Sequence, residues 1–297
     1  MKKDFARVDF RDEISSNKWK SFFLMTIIFF VIVFFGWIIS KAFEPGYFFV
    51  IMIISIIFSL GYILISYYKS DKLALLSVSA KEASREKYRQ FYNSVEGLTL
   101  ASGLPMPKLY IMESESINAF ASGRNPQNSV ICVTTGALER LNKQELEGVL
   151  AHELSHISNY DIRYMTLVAV MVGMISIISE IFLRSLWFKS GGNDNNSKGN
   201  AIFILIGVAL AILAPIVVYF VQMAISRKRE FTADANAVQF TRYPPGLTNA
   251  LKKIQKENIP EKRITKAVAP LFFSNPFKGM GSTHPAIEKR IELLEKM

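Results

Sequence analysis

The chain has 297 residues, half of them hydrophobic and a fifth charged, with a formal net charge of +10 and one cysteine. So apolar a composition excludes an ordinary water-soluble enzyme and a disordered chain. A lone Cys132 excludes a disulfide-stapled secreted scaffold. The basic surplus flanks hydrophobic runs, where it meets anionic lipid headgroups, so no nucleic-acid partner is expected.

Four runs lack any Asp, Glu, Lys or Arg: Ser21–Ser40, Pro45–Tyr68, Tyr164–Ser179 and Ala201–Ser226, of 20, 24, 16 and 26 residues. A helix crossing a hydrocarbon core of about 30 Å needs about 20 apolar residues. Three runs meet that, and the third reaches Leu183 once Glu180 is admitted near its end. The first run is longer than a signal peptide's apolar core, and a second span follows at once, so it reads as a retained anchor. Lys2, Lys3, Arg7, Arg11, Lys18 and Lys20 precede the first span, whereas Lys41 alone separates it from the second. Lys69, Lys72, Lys81, Arg85, Lys87 and Arg89 follow the second span, and Arg227-Lys228-Arg229 follow the fourth. This alternation puts both termini and the long middle segment in the cytoplasm. The expected order is a cytoplasmic segment (1–20), a transmembrane hairpin (21–68), the first part of a cytoplasmic domain (69–163), a second hairpin (164–226) and the second part of the domain (227–297). Glu180 and Arg184 fall near the outer end of the third span, where snorkelling explains them.

Within the cytoplasmic parts, Tyr88, Phe91, Tyr92, Val95 and Leu98 recur at helical steps, predicting an amphipathic helix over Lys81–Ala101. Gly103-Leu104-Pro105-Met106-Pro107 stops it. Lys108–Met112 and Ser129–Thr134 read as short strands. Asn142 and Glu145 form a capping-box pattern ahead of a helix over Lys143–Ile157. With no proline from Lys143 to Leu213, that helix is free to run on into the third span. Further helices are expected at Phe231–Tyr243, stopped by Pro244-Pro245-Gly246, and at Leu247–Gln255. Asn258–Gly281 reads as a long surface loop.

Inside the Lys143–Ile157 helix lies His152-Glu153-Leu154-Ser155-His156. Residues four apart stack on one helix face, so both imidazoles can reach one ion at about 2.0–2.1 Å. Glu153, about 100° further round the helix, can take a proton from a water on that ion. Only three histidines exist in the chain, and two stand at ligand spacing. A metzincin would need Gly at 159 and His at 162, where this chain has Asn159 and Ile162. Glu230, Asp234 and His284 are the candidate third ligands. The expected antiparallel third and fourth spans bring the chain back beside His156 at Glu230, which is therefore favoured. Asp234, one turn on, can accept a hydrogen bond from a ligand histidine. His284, in Ser282-Thr283-His284-Pro285, could hydrogen-bond a developing oxyanion.

Four spans, H-E-x-x-H entering the third, Arg229-Glu230-Phe231-Thr232-Ala233-Asp234 leaving the fourth and Thr283-His284-Pro285 near the end together resemble the HtpX-type membrane metallopeptidases, bacterial relatives of the CAAX prenyl proteases. The resemblance spans nearly the whole chain. It implies an α-helical membrane protein with four transmembrane helices and a mainly α (α+β), gluzincin-type cytoplasmic metalloprotease domain in the bacterial inner membrane. One Zn2+ would be held by His152, His156 and Glu230, with Glu153 as general base and Asp234 supporting a ligand histidine. Asn118, in Asn118-Ala119-Phe120-Ala121, is similar to a family segment beside the substrate cleft, so Asn118 and His284 are candidate substrate or oxyanion contacts. Spacing alone reads Asn118–Ala121 as a loop. Arg290 fits a family position, although from sequence a surface helix charge is the better account. The implied role is quality control of misfolded or unfolded membrane proteins at the lipid bilayer. The alternatives are a prenyl-peptide protease, which would need a larger lipid-accommodating cavity, and a non-enzymatic scaffold or transporter retaining a metal site.

Overall fold

The computed structural model describes residues 10–40, 45–171, 227–257, 269–274 and 285–297. Helix α1 (Phe10–Ser40) and helix α2 (Phe48–Ser77), joined through a 3-10 turn at Pro45–Tyr47, form a hairpin. Both contain stretches long and apolar enough to cross a membrane, Ile14–Ile38 and Pro45–Ser77. At 1.5 Å per residue each helix is about 45 Å long, more than the thickness of a hydrocarbon core. The two helices touch through small residues. A Cβ on Gly36 would collide with the Ser55 side chain, and Ser59 Oγ donates to the Phe29 carbonyl at 3.5 Å. Close approach of this kind replaces the hydrophobic effect as the source of helix pairing in lipid. The outer faces carry Phe23, Phe30, Phe49, Ile54 and Ile57, all at least 56% exposed. Such a surface suits hydrocarbon and not water. Of the third expected span, residues 164–171 are described. They are helical and buried, with Tyr164, Leu167, Val168 and Met171 packed on Leu24 and Ile28 of α1. The remainder of that run, Glu180, Arg184 and the whole fourth run lie outside the described residues.

The second half of α2 carries the chain directly into the water-facing domain. Ala74, Leu75 and Val78 pack against Met112, Phe120, Val130 and Cys132 of a four-stranded sheet. Its strands are β1 (Lys81–Glu82), β2 (Lys108–Met112), β3 (Ala119–Asn125) and β4 (Asn128–Thr134), in the order β1-β2-β4-β3. β1 pairs antiparallel with β2, β2 parallel with β4, and β3 antiparallel with β4. The helix expected over Lys81–Ala101 is shorter, α3 (Arg89–Ser102). Lys81–Glu82 is drawn into the sheet instead, where Ala83 N–H donates to the Leu109 carbonyl at 2.9 Å. Gly103 ends α3 at φ 69°, a conformation that Gly adopts without steric cost. Of Asn118–Ala121, read from spacing as a loop, Ala119–Ala121 instead open β3, and Asn118 directly precedes the strand. Its apolar and small residues Ala119, Phe120, Ala121 and Ser122 are all buried.

After α4 (Thr135–Arg140), Asn142 and Glu145 close both halves of the capping box that starts α5 (Lys143–Ser158). Lys253 then grips Glu145 at 2.6 Å. α5 is the central helix of the domain. Leu146, Val149, Leu150 and Leu154 pack in one core with Leu109, Ile131 and Val133 of the sheet and with Leu247 and Leu251. The last two belong to α7 (Pro244–Lys256), which follows α6 (Arg227–Thr241). The Pro244-Pro245-Gly246 sequence expected to stop a helix also starts the next one, since proline suits the first turn. A Cβ on Gly148 would lie 2.5 Å from Leu247 N, so α5 and α7 cross almost backbone to backbone. α8 (Ile287–Leu294) closes the domain.

α5 does not continue straight into the next helix. The chain turns at Asn159-Tyr160, with Tyr160 at φ 60°, and helix resumes at residue 161. Lack of proline permits a continuous helix but does not require one. Here the break points Asp161 back at His156. Residues 269–274, inside the stretch expected to be a surface loop, are instead a 3-10 turn and a single β-bridge, with Phe272 and Phe273 buried.

Candidate metal centre

His152 and His156 stand on one face of α5, their ring centroids 4.7 Å apart. Each imidazole is oriented from behind. His152 Nδ1 donates to Asp234 Oδ1 at 2.9 Å, and His156 Nδ1 donates to Asp161 Oδ2 at 3.0 Å. A carboxylate can only accept, so each pair fixes the proton on Nδ1 and leaves the Nε2 lone pair facing forward. The two Nε2 atoms meet at 3.1 Å. Glu230, from α6, presents Oε2 at 3.5 Å from His152 Nε2 and Oε1 at 3.6 Å from His156 Nε2. All three side chains are buried, and one donor atom from each lies within 4.8 Å of the others.

Two imidazole lone pairs and a carboxylate converging away from water repel one another unless something positive joins them. A second proton on an imidazole is one answer. Burial works against that charge on His152, but hydrogen bonds to Asp234 and Glu230 outweigh it and draw the pKa up to about 9. A metal cation is the other answer. Two nitrogens bound at about 2.0–2.1 Å to one tetrahedral ion lie about 3.3–3.4 Å apart, close to the spacing found here. The donor set of two imidazoles and one carboxylate, with each imidazole backed by a carboxylate, fits a catalytic metal site.

Glu153, next to the first histidine, is fully buried, and burial raises its carboxyl above the ordinary carboxylate range. The two imidazoles pull it back, Glu230 adds to the rise, and the Ala121 backbone hydrogen-bonds the carboxylate and lowers it again. A carboxylate with a raised pKa beside a metal-ligand set can act as a general base.

Arg290 is the main correction. From sequence a surface helix charge is the better account, yet it is 1% exposed. Its Nε and Nη2 donate to the two Asp234 oxygens at 2.9 and 2.7 Å, and Nη1 lies 3.8 Å from Glu230 Oε2. Burial penalises the Asp234 charge, but the guanidinium and His152 hold its pKa below the usual carboxylate value. Arg290 is thus the counter-ion of the whole acidic side of the site.

Two further residues support the His156 side. Asp161, just past the end of α5, stands outside the H-E-x-x-H pattern and has no ligand spacing in the sequence. Asn17, on α1, has no sequence signal at all. Its Nδ2 donates to Asp161 Oδ1 at 2.7 Å and to the Asn159 carbonyl at 3.0 Å. Behind α5, Asn236 Nδ2 donates to Ser155 Oγ at 2.8 Å, fastening α6 in the register that delivers Glu230 and Asp234.

The family model of peptidase family M48 matches residues 84–297. The chain belongs to peptidase family M48. It is 43% identical to the Protease HtpX homolog of Dictyoglomus turgidum over 97% of this chain and 95% of that protein. It is 45% identical to that of Caldanaerobacter subterraneus subsp. tengcongensis over 86% of this chain and 90% of that protein. For that of Tropheryma whipplei strain Twist the figure is 37%, over 96% and 97%. The solved structure of S. mikatae Ste24p aligns with a TM-score of 0.49 at 18% identity, over 96% of this chain and 67% of that one. This M48 peptidase is therefore an HtpX-type membrane metalloprotease. Of the other candidate residues of the M48 site, His284 lies outside the described residues. Asn118 sits at the start of β3 with its side chain bonded to Ser274: Nδ2 donates to the Ser274 carbonyl at 3.0 Å, and Ser274 N–H donates to Oδ1 at 3.1 Å.

Proposed function

We propose that this metalloprotease is a zinc endopeptidase in which His152, His156 and Glu230 hold one Zn2+ and Glu153 is the general base. The observation that supports it most is the pair of Nε2 atoms turned together at 3.1 Å by carboxylates on their far sides, with Glu230 closing the third corner. Zinc held by these three residues would supply Lewis acidity toward the scissile carbonyl and toward the attacking water. Glu153 takes the proton of the attacking water and returns it to the departing amine, and its raised pKa suits both transfers. Asp234 and Asp161 keep the two imidazoles in the Nδ1–H tautomer throughout. Arg290 balances the negative charge of Asp234 and Glu230.

The site belongs on the cytoplasmic side of a bacterial inner membrane. Asn17 at the start of the first apolar helix and Ala74–Leu75 near the end of the second both contact the water-facing domain. That end of the hairpin carries Lys18, Lys20, Lys69 and Lys72, the flank that stays inside. A site so close to the bilayer suits cytoplasmic loops and unfolded ends of membrane proteins, the substrates of a quality-control protease.

The test pairs metal content with turnover. Purified in detergent without chelator, the protein should hold about one zinc per chain. Glu153→Gln should keep that zinc and lose cleavage of an unfolded protein by a factor of about 10^2–10^4. Undiminished proteolysis in that variant, or wild-type protein devoid of metal, would remove the mechanism.

A further inference from the structure

In the four-stranded sheet β1-β2-β4-β3, β1 is a two-residue edge, and β3 is the edge that lies against α5 and offers its Ala121 backbone to Glu153. An extended peptide approaching the metal donors by strand addition has to pair with β3. That outer edge already holds chain. Phe272 bridges antiparallel to Phe120. Phe273 N–H donates to the Ala119 carbonyl at 2.8 Å. The Asn118 side chain takes both backbone groups of Ser274, its N–H and its carbonyl. Arg290 Nη1 donates to the Phe273 carbonyl at 3.4 Å. The Phe273 ring lies edge-on to His152, centroids 4.9 Å apart, with the Arg290 guanidinium 4.7 Å from its centroid.

These contacts read backbone and make one side-chain demand. Four main-chain groups of two successive residues are met by a strand carbonyl, by an amide side chain that can both donate and accept, and by the site's own arginine. One aromatic ring is sunk against a candidate zinc ligand. A peptide of any sequence could make the same main-chain bonds, provided a large apolar residue fell where Phe273 lies.

Resting on the metallopeptidase reading of His152, His156 and Glu230, we infer that Leu271–Ser274 is the resident peptide of the substrate groove. The protein holds its own segment where substrate binds, and the place filled by Phe273 selects an aromatic or large aliphatic side chain. Substrate enters only when the segment leaves, so the apparent affinity is the intrinsic one scaled by the fraction of open molecules. A folded protein has no free strand with which to compete. An unfolded, apolar, extended chain does, which gives the enzyme discrimination between misfolded and native substrate without a separate recognition domain.

The test locks the segment in place. Phe120 and Phe272 face each other, and the bonding between their strands runs through the residues beside them, so they form the closely spaced kind of antiparallel pair. Phe120→Cys with Phe272→Cys should form a disulfide there. Cys132, which faces Phe120 from β4, is first replaced by Ala. The full chain is loaded with zinc in detergent and measured oxidised and then reduced with a phosphine. Two signals are read: cleavage of an unfolded protein, and binding of a peptide hydroxamate carrying a phenylalanyl side chain. Both should fall by at least about tenfold on oxidation and return on reduction, the size expected if a tenth or less of the molecules are open in the locked form. A bridged protein, verified by mass, that cleaves and binds as the reduced one does would overturn the inference. Hydroxamate binding that switches with the bridge while no protein is ever cleaved would support the occupied groove and count against the peptidase mechanism. Hydrogen exchange on the unmodified chain gives an independent reading. The Phe273 and Ser274 amides should be protected at rest and lose protection when hydroxamate saturates the site. Retained protection would show that segment and ligand do not share the groove.

Discussion

Asp234 is where the ligand histidine and the buried arginine meet, so replacing it separates two roles of one carboxylate. Asp234→Asn keeps the size of the side chain and an oxygen that can still accept from His152 Nδ1. It removes the charge, and its amide NH2 would face Arg290 Nε, donor against donor, where a bond of 2.9 Å now stands. Arg290, 1% exposed, would then have Glu230 at 3.8 Å as its nearest carboxylate among the described residues. Removing one member of a buried pair costs about 3–5 kcal/mol, and weakening the support of a ligand histidine costs about 10- to 100-fold in metal affinity. The variant should therefore unfold at lower temperature in detergent with or without zinc. It should also bind zinc about 10- to 100-fold more weakly in competition with a chromogenic chelator. Adding Arg290→Met separates the effects. With no unpaired guanidinium left, much of the lost stability should return, a coupling of up to about 3 kcal/mol. Zinc affinity should stay low, because the charge behind His152 is still missing. A double variant less stable than Asp234→Asn alone, or a single variant with wild-type zinc affinity, would refute this division of labour.

Asn17→Ala, tested by the same competition, should weaken zinc binding several-fold by releasing Asp161 from its amide. Asn17→Asp should weaken it more, by setting a like charge against the carboxylate that orients His156. The His152 proton, with its pKa near 9 in the metal-free site, must leave when metal binds. Apparent zinc affinity should thus rise with pH and level off near 9, whereas a flat profile between pH 6.5 and 8.5 would contradict it. The sign for stability is the opposite: a raised pKa stabilises the metal-free protein below the unfolded value of about 6.5 and is lost as pH rises through about 9, so chelated protein should melt progressively lower over that window while zinc-loaded protein does not. Gly36→Leu should drive α1 off α2 at Ser55 and lower the thermal midpoint, and it should cost less zinc affinity than Asn17→Ala because Gly36 lies about 28 Å along α1 from Asn17, which a chelator titration of both samples checks.

The parts of the site that were legible in the sequence are those governed by short-range geometry. The four-residue spacing of His152 and His156 puts both rings on one face, and Asn142 with Glu145 marks where that helix starts. Lys108–Met112 is a strand because its residues suit a half-buried pleat. Contacts set by tertiary packing left no periodic trace. Asp161 turns toward His156 only because the chain adopts φ 60° at Tyr160, which no pattern of apolar residues encodes. Asn17 reaches Asp161 across 144 positions in the chain. Arg290 on α8 has the spacing of a solvated charge, and only burial against Asp234 and Phe273 reveals its partners. Lys81–Glu82 falls in the stretch whose apolar spacing predicts a helix yet joins the sheet, because β2 offers it an open edge.

The missed residues have a common physical cause. A metal ligand must be in the right place, and so must whatever fixes its tautomer, and those supports can come from any element that packs nearby. His152 is supported from α6 and α8 through Asp234 and Arg290, whereas His156 is supported from its own turn and from the first apolar helix through Asp161 and Asn17. The two halves of the donor set therefore answer to different parts of the protein, one to the closing helices of the water-facing domain and one to the hairpin that meets the lipid. A disturbance in how α1 packs would reach His156 before it reached His152, since Asn17 is one hydrogen bond from Asp161 and Asp161 is one from the imidazole. Embedding the site's support in an apolar helix ties the integrity of the metal centre to correct packing of that helix. Separately produced residues 69–297, lacking Asn17, should accordingly show the His156-side loss in zinc affinity even if they fold.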